Sequence, residues 1–199
     1  MYSPGQELCI DESMVPYRGR VVFRQFNKSK RHKYGIKLFK LCSKGGYTHK
    51  AKVYTGKEVE RVGSIAEAVV LELMDGYLDQ GRDLCTDNWY TSLPLANSLL
   101  ARSTNLFGTI RKNRKFIPPA VKGKKLERGE QYFQQNNNGI LLLKWKDKRD
   151  IFMLSTKHDG VLSRNGKPQV VEDYNKVKGF VDLSDQMAAY TPFVRRTSK

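Results

Sequence analysis

Arg82-Asp83-Leu84-Cys85-Thr86-Asp87 leads through Asn88-Trp89-Tyr90-Thr91 into Ser92-Leu93-Pro94-Leu95. The first six residues are short and strand-like. Ser92 is a suitable helix N-cap, and Pro94 is tolerated in a first turn, so a helix is predicted from there to about Arg102. Residues 106–111 read as the next strand. A strand, a helix and a strand in succession, with an aspartate closing the first strand, set the frame for the rest of the chain.

Toward the N-terminus the pattern is antiparallel. A strand fits residues 7–11. Residues 34–42 and 47–54 read as a hairpin around Gly45-Gly46. The second arm alternates, with Tyr47, His49, Ala51 and Val53 on one face and Thr48, Lys50 and Lys52 on the other. His49 is expected to be a half-buried strand residue. Ser64-Ile-Ala-Glu67 has the form of a capping box, and a helix is predicted over 65–78.

Past residue 110 the character changes. Residues 111–130 carry two prolines, two glycines and a dense basic run with little apolar periodicity, and read as a mobile loop or insertion. Residues 131–135 and 140–145 flank Asn136-Asn137-Asn138-Gly139, a hairpin signal. Residues 151–155 continue as a further β segment, and Gly166-Lys-Pro168 leads toward a last helix near Asp182. The domain reading is a core over 1–110, a basic β-containing insertion over 111–165, and a return to the core over 166–199. Antiparallel pairs followed by β-α-β units predict an α/β fold, a mixed sheet flanked by helices.

The chain has 199 residues, 39% of them hydrophobic, enough to bury a sizeable core. Its 36 Lys and Arg against 20 Asp and Glu give a formal charge of +16, which points to a polyanionic partner, nucleic acid first. No apolar run approaches the roughly 18 residues of a membrane span. Cys9, Cys42 and Cys85 are widely spaced and form no CxxC pair, so buried reduced thiols are expected rather than a zinc knuckle or a disulfide framework. The abrupt ends read as those of a piece excised from something longer.

Within this basic chain Asp11, Asp87 and Asp182 each sit in a segment of distinct character: Cys9-Ile10-Asp11-Glu12, Cys85-Thr86-Asp87-Asn88-Trp89, and Gly179-Phe180-Val181-Asp182 with Asp185 beyond. By residue type alone each has an ordinary structural reading: a strand-end turn, an Asx-turn and a helix N-cap respectively. Carboxylates gathered from distant segments can instead hold hard divalent cations for phosphoryl chemistry. Glu12, next to Asp11 on a strand, is expected on the opposite face. Trp89 reads as a core aromatic at a strand–helix junction. Two basic groups are expected to contact phosphate: Arg18, Arg20, Arg24, Lys28, Lys30, Arg31 and Lys33, and then Arg111, Lys112, Arg114 and Lys115. The run over 122–128 reads as part DNA contact, part tether.

Several blocks together resemble the catalytic region of the piggyBac family of DNA transposases. They are Tyr2-Ser-Pro-Gly5 with Ile10-Asp-Glu12, Arg18-Gly-Arg20, Lys33-Tyr-Gly-Ile-Lys37, Thr86-Asp-Asn-Trp89 with Thr91-Ser-Leu-Pro-Leu95, Gly166-Lys-Pro168, and Tyr174-Asn with Gly179-Phe-Val-Asp182 and Asp185-Gln-Met187. The resemblance implies an RNase H-like core and cut-and-paste transposition through hairpin intermediates into TTAA targets. It implies Asp11, Asp87 and Asp182 as a metal-binding triad for Mg²⁺, with Mn²⁺ a possible substitute, and Asp185 as a further catalytic member. It also implies double-stranded DNA as partner, a homodimer in the full-length protein and a nuclear location. Phe180 stands where the family usually has a second glycine, and Ser29 where it commonly has a proline. The family's N-terminal DNA-binding region and its cysteine-rich C-terminal domain are not represented.

Overall fold

Glu7–Pro16 form β1, ten residues long, twice the predicted strand. The computed structural model describes residues 3–28, 33–56 and 64–190. Antiparallel to β1 lies β3 (Tyr34–Ser43), which pairs on its outer side with β2 (Gln25–Phe26) and β4 (Tyr47–Val53). On the other side β1 runs parallel to β5 (Asp83–Thr86), and β5 parallel to β6 (Asn105–Thr109). The order β4-β3-β1-β5-β6 is that of an RNase H-like core. The same sheet continues from β6 through β9 (Asp150–Ser155) and β8 (Leu141–Lys146) to β7 (Gln131–Gln135), all antiparallel.

Helices cover both faces, so the central strands are apolar on both sides. On one face α1 (Ile65–Met74), α2 (Leu93–Leu100) and the short α3 (Pro119–Gly123) pack over Leu8, Ile10, Leu84 and Leu106. On the other, α4 (Gln169–Val177) and α5 (Phe180–Tyr190) cover Cys9, Cys42, Cys85 and Phe107. Each fully buried aliphatic or aromatic side chain in these layers contributes about 1.5–3 kcal/mol. Alternation along β1 therefore sends residues 8 and 10 toward α1 and α2, and Cys9 toward α4 and α5. The three cysteines are buried free thiols, as their isolation in sequence predicts. They form a row across three strands, Cys42 and Cys85 both in register with Cys9.

The predicted helix starts are the observed ones. Ser64 Oγ accepts from the Glu67 N–H at 3.2 Å, and Ser92 Oγ from the Leu95 N–H at 3.3 Å, satisfying amides that have no partner within the helix. The first helix stops at Met74, short of the predicted 78, because Asp75 turns extended and Gly76 takes φ +77. Three further expectations need correction. The β4 alternation is broken by a bulge: Lys50 faces Leu41 and Thr48 faces Cys42, leaving His49 as the extra residue. Tyr47, Ala51 and Val53 are consequently exposed, while Lys52 pairs with Glu72 of α1 and Thr48 with Ser184 of α5. Residues 111–130 are not a loose loop, since Ile117 and Val121 are buried in the core beneath α3. The predicted single last helix is two, and α4 leaves little mark in the sequence because its half-polar turns have only Val170, Val171 and Val177 to bury.

At the centre, β6 comes so close to β5 that a Cβ on Gly108 would collide with the Thr86 carbonyl oxygen and stand 2.8 Å from Thr91 Oγ1. Gly108→Ala is expected to destabilise by about 3 kcal/mol, the upper part of the overpacking range. Gly123→Ala, where a Cβ meets nothing within 4 Å, should stay within about 0.5 kcal/mol of wild type. Urea midpoints of the two variants check this.

Candidate active site

Parallel pairing of β1 and β5 ends at Ile10 and Thr86, so the next residues, Asp11 and Asp87, emerge side by side. Both follow the cysteine side of their strands and face α4 and α5. Each is held locally. Asp11 Oδ1 accepts from the Glu12 N–H at 2.7 Å, and Asp87 Oδ1 from the Trp89 N–H at 2.8 Å. The Asx-turn reading of Asp87 is thus present in the structure. It does not compete with a site role, because it fixes one carboxylate oxygen and the loop around it. Arg111 Nε donates to Asn88 Oδ1 at 2.9 Å, and Arg114 reaches the carbonyls of Asn88 and Trp89. Trp89 stacks on Phe39 with ring centroids 5.5 Å apart, part of the core margin.

Asp182 arrives from α5. That helix begins at Phe180, so Asp182 lies in the first turn and not at the N-cap, where a carboxylate is favoured by unpaired amides and the helix dipole. Phe180, in the position of the family's second glycine, is buried in the core between α5 and the sheet. Asp182 itself is exposed. Asp185, one turn on, is differently placed. Its Oδ1 accepts from Lys40 Nζ and from Ser13 Oγ, both at 2.7 Å. Glu12 points away as alternation requires and pairs with Lys37 at 2.6 Å.

Burial pushes Asp11 up to about 6; the Glu12 amide opposes the shift, and the charges of Asp87, Glu12 and Asp182 add to it. Asp87 is raised as well, by burial first and by the Glu12 charge, while the Trp89 and Tyr90 amides and Arg111 oppose. None of Asp11, Asp87 and Asp182 makes an ion pair with a described residue. Among the described residues no three His, Cys, Asp or Glu side chains stand close enough to form a ready-made metal cage. The charges of Asp87 and Asp182 both act on Asp11, but the three carboxylates do not close into a cluster. As a donor set they suit a divalent metal, being hard oxygens, none of them in an ion pair with a described residue, although Arg111 acts on Asp87.

The basic residues divide by placement. Arg18, Arg20, Lys28, Lys33, Arg111, Lys112 and Lys115 are exposed. Arg24 is exposed too, but it donates to the carbonyls of Arg18 and Gly19 and lies over the Tyr34 ring, so it shapes its loop. Arg114 is half-buried and braces the Asp87 loop. Lys30 and Arg31 lie outside the described residues. Sequence reasoning missed Lys40 and Lys37, whose partners are distant in the chain and visible only once β1, β3 and α5 are assembled. No described helix is long and apolar enough to cross a membrane.

A family model described as Transposase IS4 matches residues 1–199, the whole chain. PiggyBac transposable element-derived protein 3 of Homo sapiens is 25% identical over 200 residues, covering 88% of this chain and 34% of that protein. The chimeric ERCC6-PGBD3 protein of Homo sapiens is also 25% identical over 200 residues, covering 88% of this chain and 19% of that protein. A cryo-EM structure of the piggyBac transposase synaptic complex with hairpin DNA matches with TM-score 0.91 at 34% identity, over 100% of this chain and 43% of that one. Fold and sequence together define a transposase-related catalytic domain. The chain belongs to the Transposase IS4 family and is of the piggyBac type, and it spans less than half the length of each of these relatives.

A carboxylate with a raised folded-state pKa binds extra protons in the native state, so its cost to stability appears as pH rises from 3.8 to about 6 and is complete above that. Asp11→Asn is expected to stabilise chelator-treated protein by roughly 1–3 kcal/mol at about pH 7.5, discounted for partial solvent access, and by almost nothing at about pH 3.5. Denaturation at the two pH values measures it. An equal gain at both would sink the electrostatic account.

Proposed function

We propose that this chain is the catalytic core of a cut-and-paste DNA transposase, with Asp11, Asp87 and Asp182 as its metal-binding carboxylates. The observation that carries the reading is that Asp11 and Asp87 stand one step past the last rung between β1 and β5, with the charges of Asp87 and Asp182 both acting on Asp11. Divalent cations bound there, Mg²⁺ or Mn²⁺ as substitute, would activate an attacking water or DNA 3′-hydroxyl and offset charge at the phosphorus. The residues of the chain do the placing. Asp11 and Asp87 are set by strand pairing, and Asp182 by the docking of α5. Arg111 and Arg114 hold the Asn88-Trp89 loop from behind, and Lys112 and Lys115 present exposed charge beside it for DNA phosphates. Asp185, committed to Lys40 and Ser13, serves by keeping α5 in place.

The finer expectations belong to the same reading: transposon ends and TTAA targets as the DNA, a homodimer of the full-length protein, and a nuclear location. A basic chain and the likeness to a transposase in complex with hairpin DNA support DNA as the partner. A second reading is favoured by the names of the human relatives, which are transposable element-derived proteins: DNA binding retained without strand transfer. Metal-dependent nicking by the full-length protein separates the two.

Asp87→Asn in the full-length protein is expected to abolish cleavage while leaving DNA affinity within about threefold of wild type, since Asn keeps the shape and loses the charge that binds a hard cation. Cleavage by this variant at the wild-type rate would overturn the triad. Replacing Lys112 and Lys115 together by Ala should lower the log–log salt slope of duplex binding by about 2, at roughly 0.9 for each phosphate no longer neutralised. An unchanged slope in a binding titration would remove these lysines from the interface.

A further inference from the structure

We infer that Lys40 is a positioning residue for the reaction, locking α5 through Asp185 so that Asp182 is presented to Asp11 and Asp87; the inference rests on the proposed triad. Lys40 lies on β3 directly opposite Asp11 in the strand register, and so projects from the same face of the sheet. It is 8% exposed. Its ammonium is 2.7 Å from Asp185 Oδ1 and 3.4 Å from Ser184 Oγ. Ser13, on β1 two positions beyond Asp11, donates to the same Asp185 oxygen at 2.7 Å. The strand that carries the first aspartate and its neighbour β3 therefore grip one carboxylate of the helix that carries the third.

The rest of that helix explains why the grip matters. Phe180 and Val181 bury its start, but from Ser184 onward the contact with the sheet is polar or absent. Thr48 Oγ1 is 2.8 Å from Ser184 Oγ, and a Cβ on Gly46 would stand 2.9 Å from the Ser184 nitrogen, so the turn before β4 also seats α5 at this level. Apolar packing sets how near the helix comes, and the Lys40–Asp185–Ser13 contact sets its rotation and slide, because a charge-assisted bond at 2.7 Å tolerates little displacement. Asp182, one turn earlier on the same helix, moves with it. Lys40 also balances the charge of Asp185, so α5 brings a single unbalanced carboxylate to the pole where Asp11 and Asp87 already repel. Asp185 thus matters to activity without being a ligand.

The test uses the full-length protein with Lys40→Met, Lys40→Arg, Ser13→Ala and Asp182→Asn. Hydrogen exchange over residues 180–190 without added metal, the Mn²⁺ concentration for half-maximal cleavage, and DNA affinity are measured for each. Lys40→Met is expected to speed exchange in α5 about tenfold with β1 and β5 unchanged. It should raise the Mn²⁺ requirement by about tenfold or more, the usual effect of losing a group that orients a ligand, at unaltered DNA affinity. Lys40→Arg should restore both, and Ser13→Ala should move both in the same direction by about threefold, which keeps the test decisive if the Met variant folds poorly. Wild-type exchange and Mn²⁺ requirement in Lys40→Met and Ser13→Ala overturn the lock. Loss of protection across the whole sheet, unrescued by Arg, also overturns it, leaving Lys40 a packing residue only. Asp182→Asn discriminates between the levels: cleavage by that variant sinks the triad itself, whereas its inactivity beside a normal Lys40→Met sinks only the lock.

Discussion

Everything at the candidate site depends on the parallel pairing of two short strands, Glu7 with Asp83 through Ile10 with Thr86. The rungs are central and covered by helices on both faces, with Leu8, Ile10 and Leu84 in one core layer and Cys9 and Cys85 in the other. The pairing places Asp11 and Asp87 one step past its last rung, where two polar carboxylates can stand at the margin of a core that would not admit them a residue earlier. Gly108 extends the same constraint to β6. Without a side chain there, the third parallel strand closes on Thr86 and the Thr91 hydroxyl, and the loop bearing Asp87 is held from below. Strand register alone thus delivers two members of the site to within mutual repulsion, before any helix is considered.

The third member obeys a different rule. Asp182 is delivered by a helix whose hold on the sheet passes from apolar at Phe180 and Val181 to ionic at Asp185. Lys40 and Ser13 supply the sheet margin for this, occupying the same face as Asp11 in neighbouring strands. A hydrophobic contact would be non-directional, and would let a short helix settle in several orientations of similar energy. A nearly buried ion pair costs desolvation and adds little net stability, but it penalises every misplacement. For a helix that aims one carboxylate, as the proposed triad requires of α5, direction matters more than strength.

Much of the core was legible because its signals are local. Ser64 and Ser92 announce helix starts through hydroxyls that cap amides a turn away, and the strand holding Asp87 is short, apolar and bounded. What stayed illegible was non-local. The bulge at His49 depends on pairing with Leu41 and Cys42, so the alternation of β4 is sound as a pattern and misleading as a pair of faces. Val121 and Ile117 are isolated apolar residues in a basic stretch, and nothing in their neighbours shows that they join the core. At the site, the aspartates stand out by their surroundings in sequence, but their metal-binding role is suggested by resemblance and not by spacing. That Asp185 is half of an ion pair can be seen only once β3 brings Lys40 to it.

A chain of net charge +16 would be expected to depress the pKa of any carboxylate it contains, yet Asp11 is raised. Burial is the first reason and the charges of Asp87, Glu12 and Asp182 add to it, while two lysines of β3 are committed elsewhere. Lys37, three residues before Lys40 on β3, is taken by Glu12, while Lys40, directly across from Asp11, is taken by Asp185. Arg111 beside Asp87 is exposed, where water and salt screen charge within about 10 Å, and half-buried Arg114 is engaged by the Asn88 and Trp89 carbonyls. Arg111 is close enough to favour the ionised form of Asp87 but is outweighed by burial and Glu12. The protein therefore keeps its general attraction for a polyanion separate from the local charge balance at the pole: lysines that could have neutralised the aspartates are engaged by their neighbours. Uncompensated carboxylates within a basic chain are the pairing that the proposed metal-dependent strand cleavage would need, one for a hard cation and the other for a phosphodiester.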